Sequence, residues 1–162
     1  MKQTIIKCAI ALCLFACTVS LNAQNERDFA YHFIEKADKN ELVVKTISPQ
    51  MMERMLGLQE IQENDTLQTL LRQLKSIRVV SAKQHAGKNF DTVEELAKRN
   101  HKRYTCKYST PQKLMLTRMR HKKIVELVLA SQENERLLLI DLTGNMNDDF
   151  IDFITHYPAS EN

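Results

Sequence analysis

Residues 104–144 read YTCKYSTPQKLMLTRMRHKKIVELVLASQENERLLLIDLTG, and the spacing of apolar residues along this stretch decides the fold. Four apolar segments follow one another: Tyr104 to Ser109, Leu114 to Met119, Ile124 to Ala130 and Leu137 to Thr143. The first alternates, with Tyr104, Cys106 and Tyr108 on one side of the pleat, which is the period of a half-buried strand. Cys106 is accordingly expected to be buried as a small apolar residue. The third and fourth segments are apolar on both phases and require cover on two sides. Short connections with turn residues, Thr110-Pro111-Gln112, Arg120-His121-Lys122 and Ser131 to Asn134, favour hairpins over parallel crossovers. A four-strand meander is predicted.

Ahead of the meander the pattern changes to helices and isolated strands. Phe29, Phe33, Ile34 and Ala37 mark an amphipathic helix over residues 28–37, and Leu42 to Ile47 reads as a strand. Ser48-Pro49 supplies an N-cap and a first helical turn for a helix lined by Met51, Met52, Met55 and Leu56 and ended at Gly57. Asn64 or Asp65 caps a further helix, whose Leu67, Leu70, Leu71 and Leu74 fall at i, i+3, i+4 and i+7. Ile77 to Ala82 is a strand, and a polar loop around Gly87 follows it. Asp91 and Glu94 stand at capping-box spacing for the next helix, and a last helix begins at Gly144-Asn145. The predicted class is α+β: a mainly antiparallel sheet ending in the four-strand meander, with helices packed on one face.

The N-terminus is of another kind. Lys2 and Lys7 precede an apolar run from Cys8 to Val19, and Ser20 to Gln24 offers small residues for cleavage, so residues 1–24 read as an export signal. The run is shorter than the roughly 20 residues a spanning helix wants, and no transmembrane span is expected. Residues 25–162 form a single α+β domain of ordinary size. Cleavage after Ala23 or Gln24 competes with lipidation at Cys17 in Leu14-Phe15-Ala16-Cys17, which would make Cys17 a lipid anchor. The expected location is periplasmic or outer-membrane associated. Of the four cysteines only Cys106 lies outside the signal, which excludes a disulfide framework and a cysteine zinc cluster.

Several of these segments together resemble a known family. They are the Phe33-Ile34-Glu35-Lys36 helix, the Thr46-Ile47-Ser48-Pro49 turn with Met52, the strand Lys123 to Leu129 and the strand Leu139 to Gly144, behind an exported N-terminus ending in Ala23-Gln24. In these the chain looks like the small exported Bacteroidetes proteins grouped as domain of unknown function 4252 (DUF4252). The family has no catalytic residues to carry over. Some members look like lipoproteins and some are encoded beside extracytoplasmic-function sigma factors, so the resemblance implies a role in envelope physiology.

Chemistry-bearing motifs are scarce. With three glycines the chain has no phosphate-cradling loop, and its five histidines are scattered, His32 and Glu35 being the one local ligand-like pair. No catalytic residue, metal site or cofactor is therefore predicted, and the expectation is a non-enzymatic interaction module. Charge is the feature that stands out. Lys98, Arg99, Lys102, Arg103, Lys107, Lys113, Arg118, Arg120, Lys122 and Lys123 fall in a stretch without an acid, while residues 124–162 hold eight acids against Arg136. Without residues 1–24 the chain has 21 basic and 20 acidic residues, a net charge of +1. Two readings of the basic stretch stay open. Either it pairs with the acidic segment across the sheet, or it binds anionic ligands, acidic glycan or phosphorylated glycolipid, through Lys102, Arg103, Lys107, Arg118 and Arg120. The expected partner is an envelope protein or an anionic glycan; nucleic acid is not expected, since no binding motif is present.

Overall fold

A computed structural model describes residues 27–156 of the chain. The expected signal, with Cys17, Ala23 and Gln24, lies outside the described residues. In chain order the elements are α1 (Phe29–Lys36), a 3-10 turn (Lys39–Glu41), β1 (Leu42–Ile47), α2 (Pro49–Leu56), α3 (Gln59–Gln62), α4 (Asp65–Leu71) and β2 (Leu74–Ala82). They continue with α5 (Ala86–Arg99), β3 (Thr105–Ser109), β4 (Lys113–Arg120), β5 (Lys123–Glu133), β6 (Arg136–Met146) and α6 (Asp148–His156).

All six strands join one antiparallel sheet in the order β1-β2-β6-β5-β4-β3. The α+β class and the C-terminal meander are therefore as the sequence predicts. Two of the meander's turns explain themselves locally. His121-Lys122 and Asn134-Glu135 all have positive φ, the geometry of two-residue hairpin loops whose twist matches that of the flanking strands.

Helices α1 and α5 pack together on one face. Phe29, Phe33, Phe90, Val93 and Leu96 meet Val80, Leu116, Val128, Leu137 and Leu139 there in the larger core cluster. The opposite face is covered in part as well, so the helices are not confined to one face as the sequence reading expects. Met52 of α2, Leu70 and Leu71 of α4 and Phe150 of α6 gather over Ile47, Leu127 and Leu142. This second layer meets the demand of β5 and β6, which are apolar on both phases.

Local details depart from the sequence reading. Helix α5 starts at Ala86, not at Asp91, because the apolar spacing Ala86, Phe90, Val93, Leu96 extends the stripe back over Gly87. Its entry is His85 in the left-handed region with no side-chain cap, so the Asp91–Glu94 capping box is not used. Leu74 opens β2 instead of closing α4, and β6 runs through Gly144 to Met146 before α6 begins. A Cβ on Gly144 would stand 2.0 Å from the Gln73 carbonyl oxygen, so the strands approach each other there as only glycine permits.

Cys106 and Tyr108 are not buried. A register shift between Cys106 and Tyr108 breaks the expected alternation, β3 is an edge strand, and only Tyr104, just before it, keeps its place in the core.

Candidate functional site

The first-face phases of the strands end in charge. Along β5 the inward residues are Glu126, Val128 and Ala130, and along β6 they are Leu137, Leu139 and Asp141. Register places Arg78 of β2 opposite Asp141 and Arg118 of β4 opposite Glu126. The acids are buried, Glu126 at 0 % exposure and Asp141 at 1 %.

What they do is hold a helix. The Phe29 amide donates to Glu126 Oε1 at 2.7 Å, the Ala30 amide to Asp141 Oδ2 at 2.8 Å and the Tyr31 amide to the N-cap Asp28 Oδ1 at 2.7 Å. The first three amides of α1, which no helix can satisfy internally, thus find carboxylates, two of them supplied by strands about a hundred residues away in sequence. Arg78 Nη1 lies 2.7 Å from Asp28 Oδ1, Arg118 Nε donates to Glu126 Oε2 at 2.6 Å, and the Tyr104 hydroxyl donates to Glu126 Oε1 at 2.8 Å. Phe29 and Tyr104 meet edge to face at 5.4 Å beside them.

Burial sets the proton affinities here. Desolvation first, and then the charges of Glu126 and Asp28, raise the Asp141 carboxyl well above its ordinary range, against the lowering influence of the Ala30 amide and Arg78. Asp141 Oδ1 has no hydrogen-bond partner. Burial and the neighbouring Glu126 likewise push the Tyr104 hydroxyl far above its usual value, so it stays a donor.

Directly outside this cluster the sheet ends in cations. Thr105 of β3 faces Thr117 of β4, so the turn of Lys102 and Arg103 that leads into β3 and the Arg118-to-Arg120 end of β4 lie at the same end of the sheet. Arg120 in turn faces Lys123 across the hairpin. Arg103 Nη2 donates to the Arg27 carbonyl at 3.2 Å, and its guanidinium stands over the Tyr104 ring, which brings the chain's entry into α1 to the same end. Lys102, Arg103, Arg120, Lys122 and Lys123 are all exposed.

The five residues singled out in the sequence therefore divide three ways. Lys102, Arg103 and Arg120 lie at this same end of the sheet. Arg118 lies beneath them, engaged with Glu126 and mostly covered. Lys107 sits at the β3 irregularity, between Cys106 and Tyr108, and borders a different feature, an open groove of about 740 Å³ floored by Met115, Leu129, Leu138 and Ile140 under α6. That groove carries Lys107 and Lys113 on one rim but Glu133, Asp148 and Asp152 on the others, so its charges do not select an anion.

Cross-strand pairing accounts for little of the basic stretch. Lys113 pairs with Glu133 at 3.0 Å and Arg118 with Glu126, while Lys98 and Arg99 pair within α5 with Glu94 and Glu95. Among the described residues the remaining six of the ten, Lys102, Arg103, Lys107, Arg120, Lys122 and Lys123, form no ion pair.

A family model, Domain of unknown function (DUF4252), matches residues 31–152. The chain belongs to this family. No curated protein matches it. The match begins inside α1 and ends inside α6, so the DUF4252 region takes in the whole sheet, Glu126, Asp141 and the basic end. The sequence reading missed the carboxylate cluster of this DUF4252 chain, counting Glu126 and Asp141 only among the eight acids of residues 124–162. A signal was present, since each is a single acid on the inward phase of a strand that is otherwise apolar there.

Proposed function

We propose that this chain is an exported protein of the cell envelope, directed by residues 1–24 to the periplasm or the outer membrane, where it works as a non-enzymatic interaction module. Recognition of anionic groups by the basic end of the sheet is the interaction it offers. One observation carries this reading. Two acids of the segment that follows the basic stretch, Glu126 and Asp141, are engaged inside the domain on α1, while Lys102, Arg103, Arg120, Lys122 and Lys123 face solvent at one end of the sheet without a carboxylate partner among the described residues. Clustered like charge of this kind raises the local concentration of anions, more so at low salt. The buried Asp28, Glu126, Tyr104 and Asp141 support a non-enzymatic role, because their polar atoms cap a helix and pair with arginines instead of facing a cleft.

The test is retention of the chain from Asn25 onward on an immobilised sulfated glycan, eluted with a salt gradient, against the variant Lys102→Glu/Arg120→Glu/Lys123→Glu. The expected result is retention that weakens with salt and is lost in the variant, while both proteins keep the same thermal midpoint. Equal retention of both proteins would remove the basic end from the interaction.

A further inference from the structure

The basic end is more than a set of charges. Met119 is 50 % exposed there, an apolar side chain flanked by Arg118 and Arg120, and the hairpin then turns through His121-Lys122 into Lys123. An exposed methionine amid lysine and arginine at a hairpin tip suits a surface that is anionic at its face and apolar just below it. The chain also enters the domain at this end, because Arg27 is held by Arg103 and α1 begins over Glu126 and Asp141. Upstream of Arg27 stand the apolar run Cys8 to Val19 and Cys17, the residue at which a lipid would be attached. A tether running from Cys17 through residues 18–26 would reach about 30 Å, long enough for this end to rest on the membrane that holds it.

From these we infer that the basic end of the sheet docks on an anionic lipid surface, with Lys102, Arg103, Arg120, Lys122 and Lys123 against the headgroups, Met119 entering the interface, and the opposite end, which carries Gln112 and Asn134, pointing away. The inference rests on the anion-recognition reading above and narrows its partner to a bilayer. Asp148 and Asp149 head α6, where Asp148 lines the groove on the second face and Asp149 accepts from Asn147 Nδ2.

The test uses the chain from Asn25 onward, which contains the entire sheet and both cores, with sedimentation of vesicles made of phosphatidylcholine alone or mixed with phosphatidylglycerol. Binding to the mixed vesicles only is expected. Each cation at such a surface strengthens binding about fivefold, so Lys102→Glu/Arg120→Glu/Lys123→Glu should lower vesicle affinity by about a hundredfold or more. Lys83→Glu/Lys88→Glu, at the far end, should leave it unchanged. Fluorophores placed at Met119→Cys and Gln112→Cys in a Cys106→Ser background should differ, with lipid-borne quencher reaching the first and not the second. Binding to the dissolved sulfated glycan without binding to mixed vesicles would overturn membrane docking and leave the anion reading standing. Binding to neither would overturn both. Undiminished vesicle binding by the triple variant, or stronger quenching at position 112 than at 119, would overturn docking through this end.

Discussion

Replacing Glu126 is the sharpest probe of what holds α1 to the sheet. Its carboxylate is fully buried and accepts from the Phe29 amide, the Tyr104 hydroxyl and Arg118 Nε at 2.6 to 2.8 Å. Glu126→Ala removes the acceptor that these three donors share, one of them a guanidinium at 18 % exposure. Removing one partner of a buried ion pair costs about 3–5 kcal/mol. Counting instead the two neutral donors at about 1–3 kcal/mol each gives about 2–6 kcal/mol, which brackets that range. Glu126→Gln keeps an acceptor oxygen and the shape but not the charge, and should cost about 2 kcal/mol, the difference between a charged and a neutral set of hydrogen bonds. The assay is equilibrium urea unfolding with the slope held constant. At a typical slope of about 2 kcal/mol/M, the alanine variant's midpoint should fall by about 2 M. Glu133→Ala, which loses only the exposed pair with Lys113, serves as control and should change stability by less than about 1 kcal/mol. An alanine variant within about 1 kcal/mol of the parent would refute the view that these three hydrogen bonds anchor α1.

Two further perturbations probe the same architecture. Asp141 has its folded-state carboxyl raised well above the unfolded value of 3.8, so the folded protein binds the extra proton, and the stability this contributes is present at low pH and lost as pH rises through the folded value. Asp141→Asn keeps an acceptor for the Ala30 amide and removes the buried charge, so it should flatten the fall in stability that sets in as pH rises above the unfolded value of 3.8 and leave the variant the more stable protein at the alkaline end; an unchanged pH profile would contradict this. Gly144→Ala should destabilise by about 3 kcal/mol or more in urea unfolding, because the new methyl meets the Gln73 carbonyl and the Leu74 Cα, both backbone atoms that cannot turn aside. A neutral alanine variant would show that β2 and β6 can part there freely.

How much of this was legible in the chain depends on the range of the forces involved. The strands were legible because alternation and apolar runs between turn residues are local, and β1 falls on Leu42–Ile47 as its residues predict. So were the caps Ser48 and Asn64, whose side chains accept amide protons three residues on, whereas Asp28 was read only as the first residue of a helix. The start of α5 was harder, since the capping box at Asp91 and the apolar stripe from Ala86 competed, and packing of Ala86 and Phe90 against the sheet decided for the stripe. Cys106 was misplaced because an irregularity in an edge strand leaves no mark on sequence period.

The amino-acid sequence by itself determined the α+β class, the meander and the uneven distribution of charge, since each follows from the order of residue types along the chain. Which charges remain available was decided only by the tertiary structure. Arg118 and Arg120 are two residues apart and look alike in the sequence, but the register shift between Arg118 and Met119 leaves the first paired with buried Glu126 and the second facing solvent beside Lys123. Likewise Glu126 and Asp141 lie far from α1 along the chain, and only the closing of the sheet brings them to its first amides. A carboxylate's partner is set by distances of about 3 Å in the folded molecule, and those distances are created by strand register and helix docking, which no local pattern encodes.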